Sequence, residues 1–258
     1  MSTLLYIPGE PFELNHKSPQ AMGLVSWWPP LGALGHSYLI DLAGVNRAVG
    51  AGSISWQADR EIDFCPVYNG SNTRFDCGIP DPFNSLSAAT FCAWIKWGGA
   101  ANGLTAAQDV LRKDGCFAFG GGWAAGKARL WTWSSTNVLT AGPDSVSRID
   151  DGNPHLICAV LDGIYNTIYV DGRAEASAAY SSTLYSNTNH LFISSNGGGG
   201  EFWNGLIGDA RIYRRGLSPA EIWGLYDPQT RWDLYKPLRG DVIYKQLVSP
   251  AMRWWMGA

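Results

Sequence analysis

The chain has 258 residues, enough for one sizeable hydrophobic core or two small ones. Only 16% are charged, against roughly 25% in an average globular protein, and the formal net charge is −3. That balance gives no basic face for general nucleic-acid binding, and no apolar run reaches the roughly 20 residues of a membrane helix.

The 31 glycines and 13 tryptophans, with few strong helix formers, point to an all-β protein with many tight turns. Met1 to Glu13 carries no basic stretch followed by an apolar one, so no signal peptide is expected. "LLYIPGEPFELNHKSP" instead reads as an extended, proline-spaced leader fit to lie along a surface. The five cysteines (Cys65, Cys77, Cys92, Cys116 and Cys158) are odd in number and form no CxxC pair. They read as reduced, buried thiols of a protein made in a cytoplasm.

Strand-like segments then recur: "GLVSWW", "EIDF", "ATFCAWIKW", "CFAFG", "ARLWTW", "HLICAVL", "NTIYVDGR" and "LFISS". "HLICAVLDGIYNTIYVDGR" is a hairpin, and Asp171-Gly172 opens a further tight turn. From Leu206 to Tyr213 the residues alternate, with Leu206, Gly208, Ala210 and Ile212 on one side and Ile207, Asp209, Arg211 and Tyr213 on the other. Ser218, Pro219 and Glu221 then read as N-cap, first-turn proline and capping-box acid of one short helix, with Ile222 and Leu225 on one face. Nothing parallel follows that helix, so it is expected to be a lid on the end of a two-sheet sandwich.

The order "GLVSWWPP", "DLAGVNRAVG", "IDF…YNG", "FCAWIKW", "PHLICAVLDG", "IYVDGR" and "FWNGLIGDARIYRRGLSPAEIWGLY" resembles the laminin-G-like, concanavalin A-like jelly rolls. The closing strand, turn and helix are the most specific part. The resemblance implies a jelly roll over residues 23–227, with an extended arm at 1–22 and a C-terminal docking arm at 228–258. The flanks "ELNHKSPQAMGLVSWWPP" and "WDLYKPLRGDVIY" further resemble bacteriophage-encoded members of the family, which implies a virion setting.

Retaining hydrolases of this fold carry three acids on one strand, the nucleophile and acid/base about 5–5.5 Å apart. Glu61 and Asp63 match the first two positions, but the third falls on Cys65 or Pro66, and neither can protonate a leaving oxygen. No catalytic residues are therefore expected, and "IDF" reads as a core strand with Phe64 in the sandwich. His16, His36, His155 and His190 have no zinc-ligand spacing.

Relatives in the family often bind calcium with a turn carrying Asp, Gly and Asn and an acid on the last strand. The resemblance implies Asp41, Gly44 and Asn46 with Asp209 as that set, and calcium as the cofactor. The alternative is an Asx turn at Asp41 and an arginine pair at Asp209.

In "KARLWTW" the alternation places Arg129, Trp131 and Trp133 on one face, a platform on which sugar rings could stack. The alternative is a face covered by another segment or subunit. After Asp227 the chain carries five cations (Arg231, Lys236, Arg239, Lys245 and Arg253) against two acids (Asp233 and Asp241). Trp232, Tyr235, Trp254 and Trp255 make this tail too apolar for a solvated one, and they are the expected anchors on a partner chain.

Two functions of different class follow. The first is a non-catalytic virion decoration protein docked through its arms on a capsid or tail protein or on copies of itself. The second is a carbohydrate-binding adhesion module, with a glycan as partner. No nucleic acid or membrane partner is expected.

Overall fold

The computed structural model describes residues 12–29, 37–44, 47–79 and 85–237. Its first strands are β1 Phe12–Leu14, β2 Leu24–Trp28, β3 Tyr38–Leu39, β4 Ala48–Ala51, β5 Ser55–Asp59 and β6 Asp63–Asn69. Then come β7 Arg74–Asp76, β8 Ala89–Trp97, β9 Gln108–Lys113, β10 Phe117–Gly121, β11 Ala128–Trp133 and β12 Leu139–Ala141. The last are β13 Pro154–Leu161, β14 Tyr165–Val170, β15 Arg173–Ala179, β16 Leu191–Ile193, β17 Asn204–Tyr213 and β18 Tyr235–Pro237. The helix α1 spans Pro219–Tyr226, and no helix among the described residues is long and apolar enough to cross a membrane.

The strands form the expected antiparallel sandwich. The first sheet has the order β15-β14-β13-β8-β17-β6-β5, with β2 also paired to β17. The second has the order β12-β11-β10-β9-β16-β7-β4-β3. Between them Phe91, Ile95, Phe117, Phe119, Leu130, Ile157, Ile168 and Trp203 form the main core. All five cysteines are buried thiols outside any disulfide, as their apolar settings predict; burial pushes the Cys116 thiol up to about 12, so it behaves as a small apolar group.

The β14–β15 turn is tight because Asp171 and Gly172 both take left-handed φ, 50° and 78°. Asp171 also holds β13: its carboxylate accepts the Leu156 N–H (3.0 Å) and His155 Nδ1–H (2.9 Å), while His155 Nε2 meets Asp151 (3.0 Å). Burial opposes charge on His155, but Asp171 first and Asp151 second lift its pKa above the usual 6.5. A raised folded-state value stabilises fully below about 6.5 and is lost as pH climbs through the folded value. The melting temperature of wild type should therefore exceed that of His155→Gln most at about pH 6, with the gap narrowing by about pH 8.5. An unchanged gap across that range would refute the charged state of His155.

β17 departs from strict alternation. Its register against β8 shifts between Gly208 and Arg211, and Asp209 takes φ 49°. This bulge puts two residues where one would pair. Ile207, Ala210 and Ile212 consequently share the main core, whereas Leu206 and Tyr213 lie in a second cluster on the outer face of the first sheet. Phe64 also differs from expectation: Asp63 at φ 73° re-aims the strand start, and Phe64 stacks half-buried on Trp56 (5.9 Å, 19°) outside the main core.

α1 is capped as its sequence requires. The Ser218 hydroxyl accepts the Glu221 N–H while the Glu221 carboxylate accepts the Ser218 N–H (2.8 Å). Its buried residues are Ile222 and Leu225, the two expected. They pack with Trp94, Leu156, Cys158 and Tyr169, so the helix covers the outer face of the first sheet and not the end of the sandwich.

Residues 228–237 continue over the same face. Leu234 and Tyr235 join Trp27 and Leu14, and β18 pairs with β1 in a two-stranded ribbon. The Arg231 guanidinium lies 3.9 Å from the Trp94 ring centroid and 4.5 Å from that of Trp232, and donates to the Glu61 carbonyl (2.7 Å). Leader and tail thus clasp each other on the chain's own body.

Candidate functional site

Trp27 organises one end of the first sheet. Its backbone N–H donates to Asp41 Oδ1 (2.8 Å), which also accepts from Ala43 (3.1 Å) and Gly44 (2.8 Å). Its indole N–H donates to Asp209 Oδ1 (2.6 Å). Arg211 completes the second group, donating from Nε to Asp209 Oδ1 (3.0 Å) and from Nη2 to Oδ2 (2.7 Å). Burial raises the Asp41 pKa despite the three backbone donors, and in Arg211 the Asp209 carboxylate outweighs the burial that would lower it.

These are the hydrogen bonds of an Asx turn at Asp41 and an arginine pair at Asp209. The Asp41 donors all meet Oδ1, and Oδ2 is buried with no hydrogen-bond partner. Asn46 lies outside the described residues, among which no group of three or more His, Cys, Asp or Glu could hold a metal.

The expectation that Trp232 and Tyr235 anchor a partner is corrected. Trp232 is 9% exposed and Tyr235 7%: Tyr235 packs on Trp27 and Phe12 of the same chain, and Trp232 meets the Tyr235 ring in the same cluster. They cover a face that the sandwich would otherwise leave wet. Trp254 and Trp255 lie outside the described residues.

The outer face of the second sheet is different, because no described helix or strand lies over it. On β11 the alternation holds: Ala128, Leu130 and Thr132 point inward, while Arg129, Trp131 and Trp133 stay half-buried on the outer side. The rings are not bare. Arg129 lies 5.2 Å from the Trp131 centroid and is gripped in bidentate fashion by Asp144. Trp123 meets the Trp131 ring edge-on at 6.4 Å. Arg112 on β9 lies 5.6 Å from Trp133 and pairs with Asp109 (3.3 Å), Asp114 (2.8 Å) and Glu201. Burial raises Asp109 well above the carboxylate range, with Arg112 pulling the other way.

Between these two walls β10 offers only small residues. Ala118 sits opposite both Trp131 and Arg112, and a Cβ on Gly120 would come within 2.1 Å of the Gln108 carbonyl oxygen. The result is a low stretch between an aromatic side and an ion-paired one, with the β10 residues themselves buried and the flanking side chains locked before any ligand arrives. The sequence pattern located Arg129, Trp131 and Trp133 but missed Trp123, Arg112 and Asp109. The signal for the low stretch was present, since "FAFGG" alternates large core residues with small outer ones.

Fold and exposed face together define a jelly-roll sandwich of lectin-like build. The chain belongs to the concanavalin A-like lectin/glucanases superfamily, whose family model matches residues 69–223, more than half of its length. No curated protein matches the sequence. Among solved structures it is similar to domain 4 of the extracellular arabinanase AbnA of Geobacillus stearothermophilus, in complex with arabinotriose. The TM-score is 0.61 at 20% identity, covering 79% of this chain and 98% of that one. It is also similar to the binding domain of Paraclostridial mosquitocidal protein 1, with TM-score 0.63 and 11% identity over 81% of this chain and 53% of that one. A botulinum neurotoxin type C structure, described as depending for cell entry on two ganglioside molecules, matches with TM-score 0.61 and 10% identity, over 80% and 51%. The chain spans about half the length of these toxin chains. At such identities the likeness concerns the fold.

Proposed function

We propose that the protein is a non-catalytic, lectin-like module that binds glycan on the outer face of its second sheet. The observation that carries this reading is the half-buried Trp131 and Trp133 on the outer side of the second sheet, each beside an arginine fixed by carboxylates. Aromatic rings held in place supply contact area at little entropic cost. The similar structures that name arabinotriose and gangliosides favour the same class of ligand.

Hydrolysis is disfavoured by the acids. Glu61 sits in the turn before β6, only Asp63 is on the strand, and the third position is occupied by buried Cys65 or Pro66. The virion setting drew on the flanking segments. Trp232 and Tyr235 now have an intrachain role and β1 of the leader pairs with β18, so the flanks are engaged within the chain and the glycan reading comes first.

The test is a glycan array probed with wild type, followed by titration of the strongest hit with Trp131→Ala and Trp133→Ala. Either substitution should weaken binding by about tenfold or more, the loss expected of an anchoring aromatic. Unchanged binding by both folded variants, or no hit with wild type, would remove the proposal.

A further inference from the structure

A cavity of about 240 Å³ opens on the outer side of the first sheet, across the sandwich from Trp131. It lies between α1, the end of β17, the single helical turn Pro19–Ala21 and residues 230–233. Its walls are apolar: Pro19, Tyr213, Leu217, Ala220 and Leu225. Of the charged and amide groups around it, all but one are bonded to their neighbours. Gln20 Nε2 donates to the carbonyls of Thr230 (2.6 Å) and Gly224 (3.2 Å), and Gln20 Oε1 accepts from Arg211 (2.8 Å). Arg215 donates to both oxygens of Glu221 (2.6 and 3.0 Å) and to the Met22 carbonyl (2.8 Å). The exception is Asp233, whose exposed carboxylate makes no hydrogen bond or ion pair with any described residue. Arg215 and Glu221 cancel, so Asp233 leaves the rim negative.

Gly224 is a second, independent pointer. It lies inside α1, where glycine is less favourable than alanine because it has more backbone freedom to lose. A Cβ there would meet nothing closer than Thr230 Oγ1 at 3.7 Å, an ordinary contact, and the residue is not among the glycines with left-handed φ. Neither packing nor backbone geometry calls for glycine at this position. It lines the cavity one turn after Ala220, so a side chain here would grow into the space. The helix gives up propensity and the cavity stays open.

We propose that this cavity binds a small organic cation, an amine carried on an apolar ring or short alkyl chain. The apolar body fills the space beside Gly224, and the ammonium meets Asp233 at the rim. An anion is disfavoured, because Glu221 saturates Arg215 and Asp233 repels a second negative charge. The site is separate from the glycan face and does not rest on it.

The experiment titrates full-length protein with benzylamine, cyclohexylamine and n-hexylamine, and with benzyl alcohol and benzoate as the neutral and anionic counterparts of benzylamine. Calorimetry reads the affinity, and the melting temperature reads stabilisation by mass action. At least one amine should bind saturably and raise the melting temperature, with benzyl alcohol about fivefold weaker than benzylamine and benzoate without effect. Asp233→Asn should bring the amine down to the level of the alcohol. This carboxylate has no partner to lose, so the change would not reflect misfolding. Gly224→Ala should melt above wild type when no ligand is present, and Gly224→Leu should abolish binding by filling the space. Absence of saturable binding by every amine, benzoate bound as well as benzylamine, or full amine binding by Asp233→Asn or Gly224→Leu would overturn the inference. So would a Gly224→Ala protein less stable than wild type. None of these outcomes touches the Trp131→Ala test of the lectin-like reading.

Discussion

Replacing Asp209 with alanine should cost about 3–5 kcal/mol of folding stability, because it strands a buried guanidinium without its counter-ion. Arg211 is 2% exposed and Asp209 4%, so water cannot take the place of the carboxylate. Trp27 would lose its indole acceptor in the same step. Urea denaturation measures the loss as a lower midpoint at similar slope. The double variant Asp209→Leu, Arg211→Met should recover much of it, since removing both charges abolishes the desolvation problem that removing one creates. Millimolar calcium should not rescue Asp209→Ala. A wild-type midpoint for Asp209→Ala, or a double variant as unstable as the single, would show that this pair is not what holds β17 to β2.

Ending the chain after Asp227 should have an effect at least as large. It removes Arg231, Trp232, Leu234 and Tyr235 together and bares Trp27 and Trp94 on the first sheet. A single large-to-alanine change at a buried aromatic costs about 3–5 kcal/mol, and a typical domain has only about 5–15 kcal/mol in total. The shortened protein is therefore expected to be largely unfolded or aggregated, and Trp232→Ala should be a milder form of the same defect. A shortened chain with the wild-type thermal transition would return the tail to the role of a detachable arm.

What the sequence made legible was local. Ser218, Pro219 and Glu221 announce α1 because capping operates within one turn of backbone. Asp171-Gly172 announces its turn because the left-handed φ is a property of those two residues. Alternation was enough for β11, where Leu130 faces in and Trp131 out. Alternation failed at Asp209, because a bulge adds a residue that hydropathy does not mark, and every side chain beyond it changes face. Trp232 and Tyr235 were recognised as needing burial, but their partner, Trp27, lies some two hundred residues earlier in the chain. Whether an aromatic tail covers its own domain or another is decided by such distant pairings. The row across the second sheet was hidden for the same reason: Trp131, Arg112 and Phe192 come into line only through the registers of β9, β10, β11 and β16.

The ribbon of β1 and β18 fixes where the described chain enters and leaves. Phe12 stands directly opposite Pro237, so both connections emerge side by side. They do so on the side of the first sheet, while Trp131 and Phe192 face outward from the second. The described domain is therefore polarised like a hand on a wrist: Phe12 and Pro237 stand together behind the sandwich, and Trp131 and Phe192 look away from them.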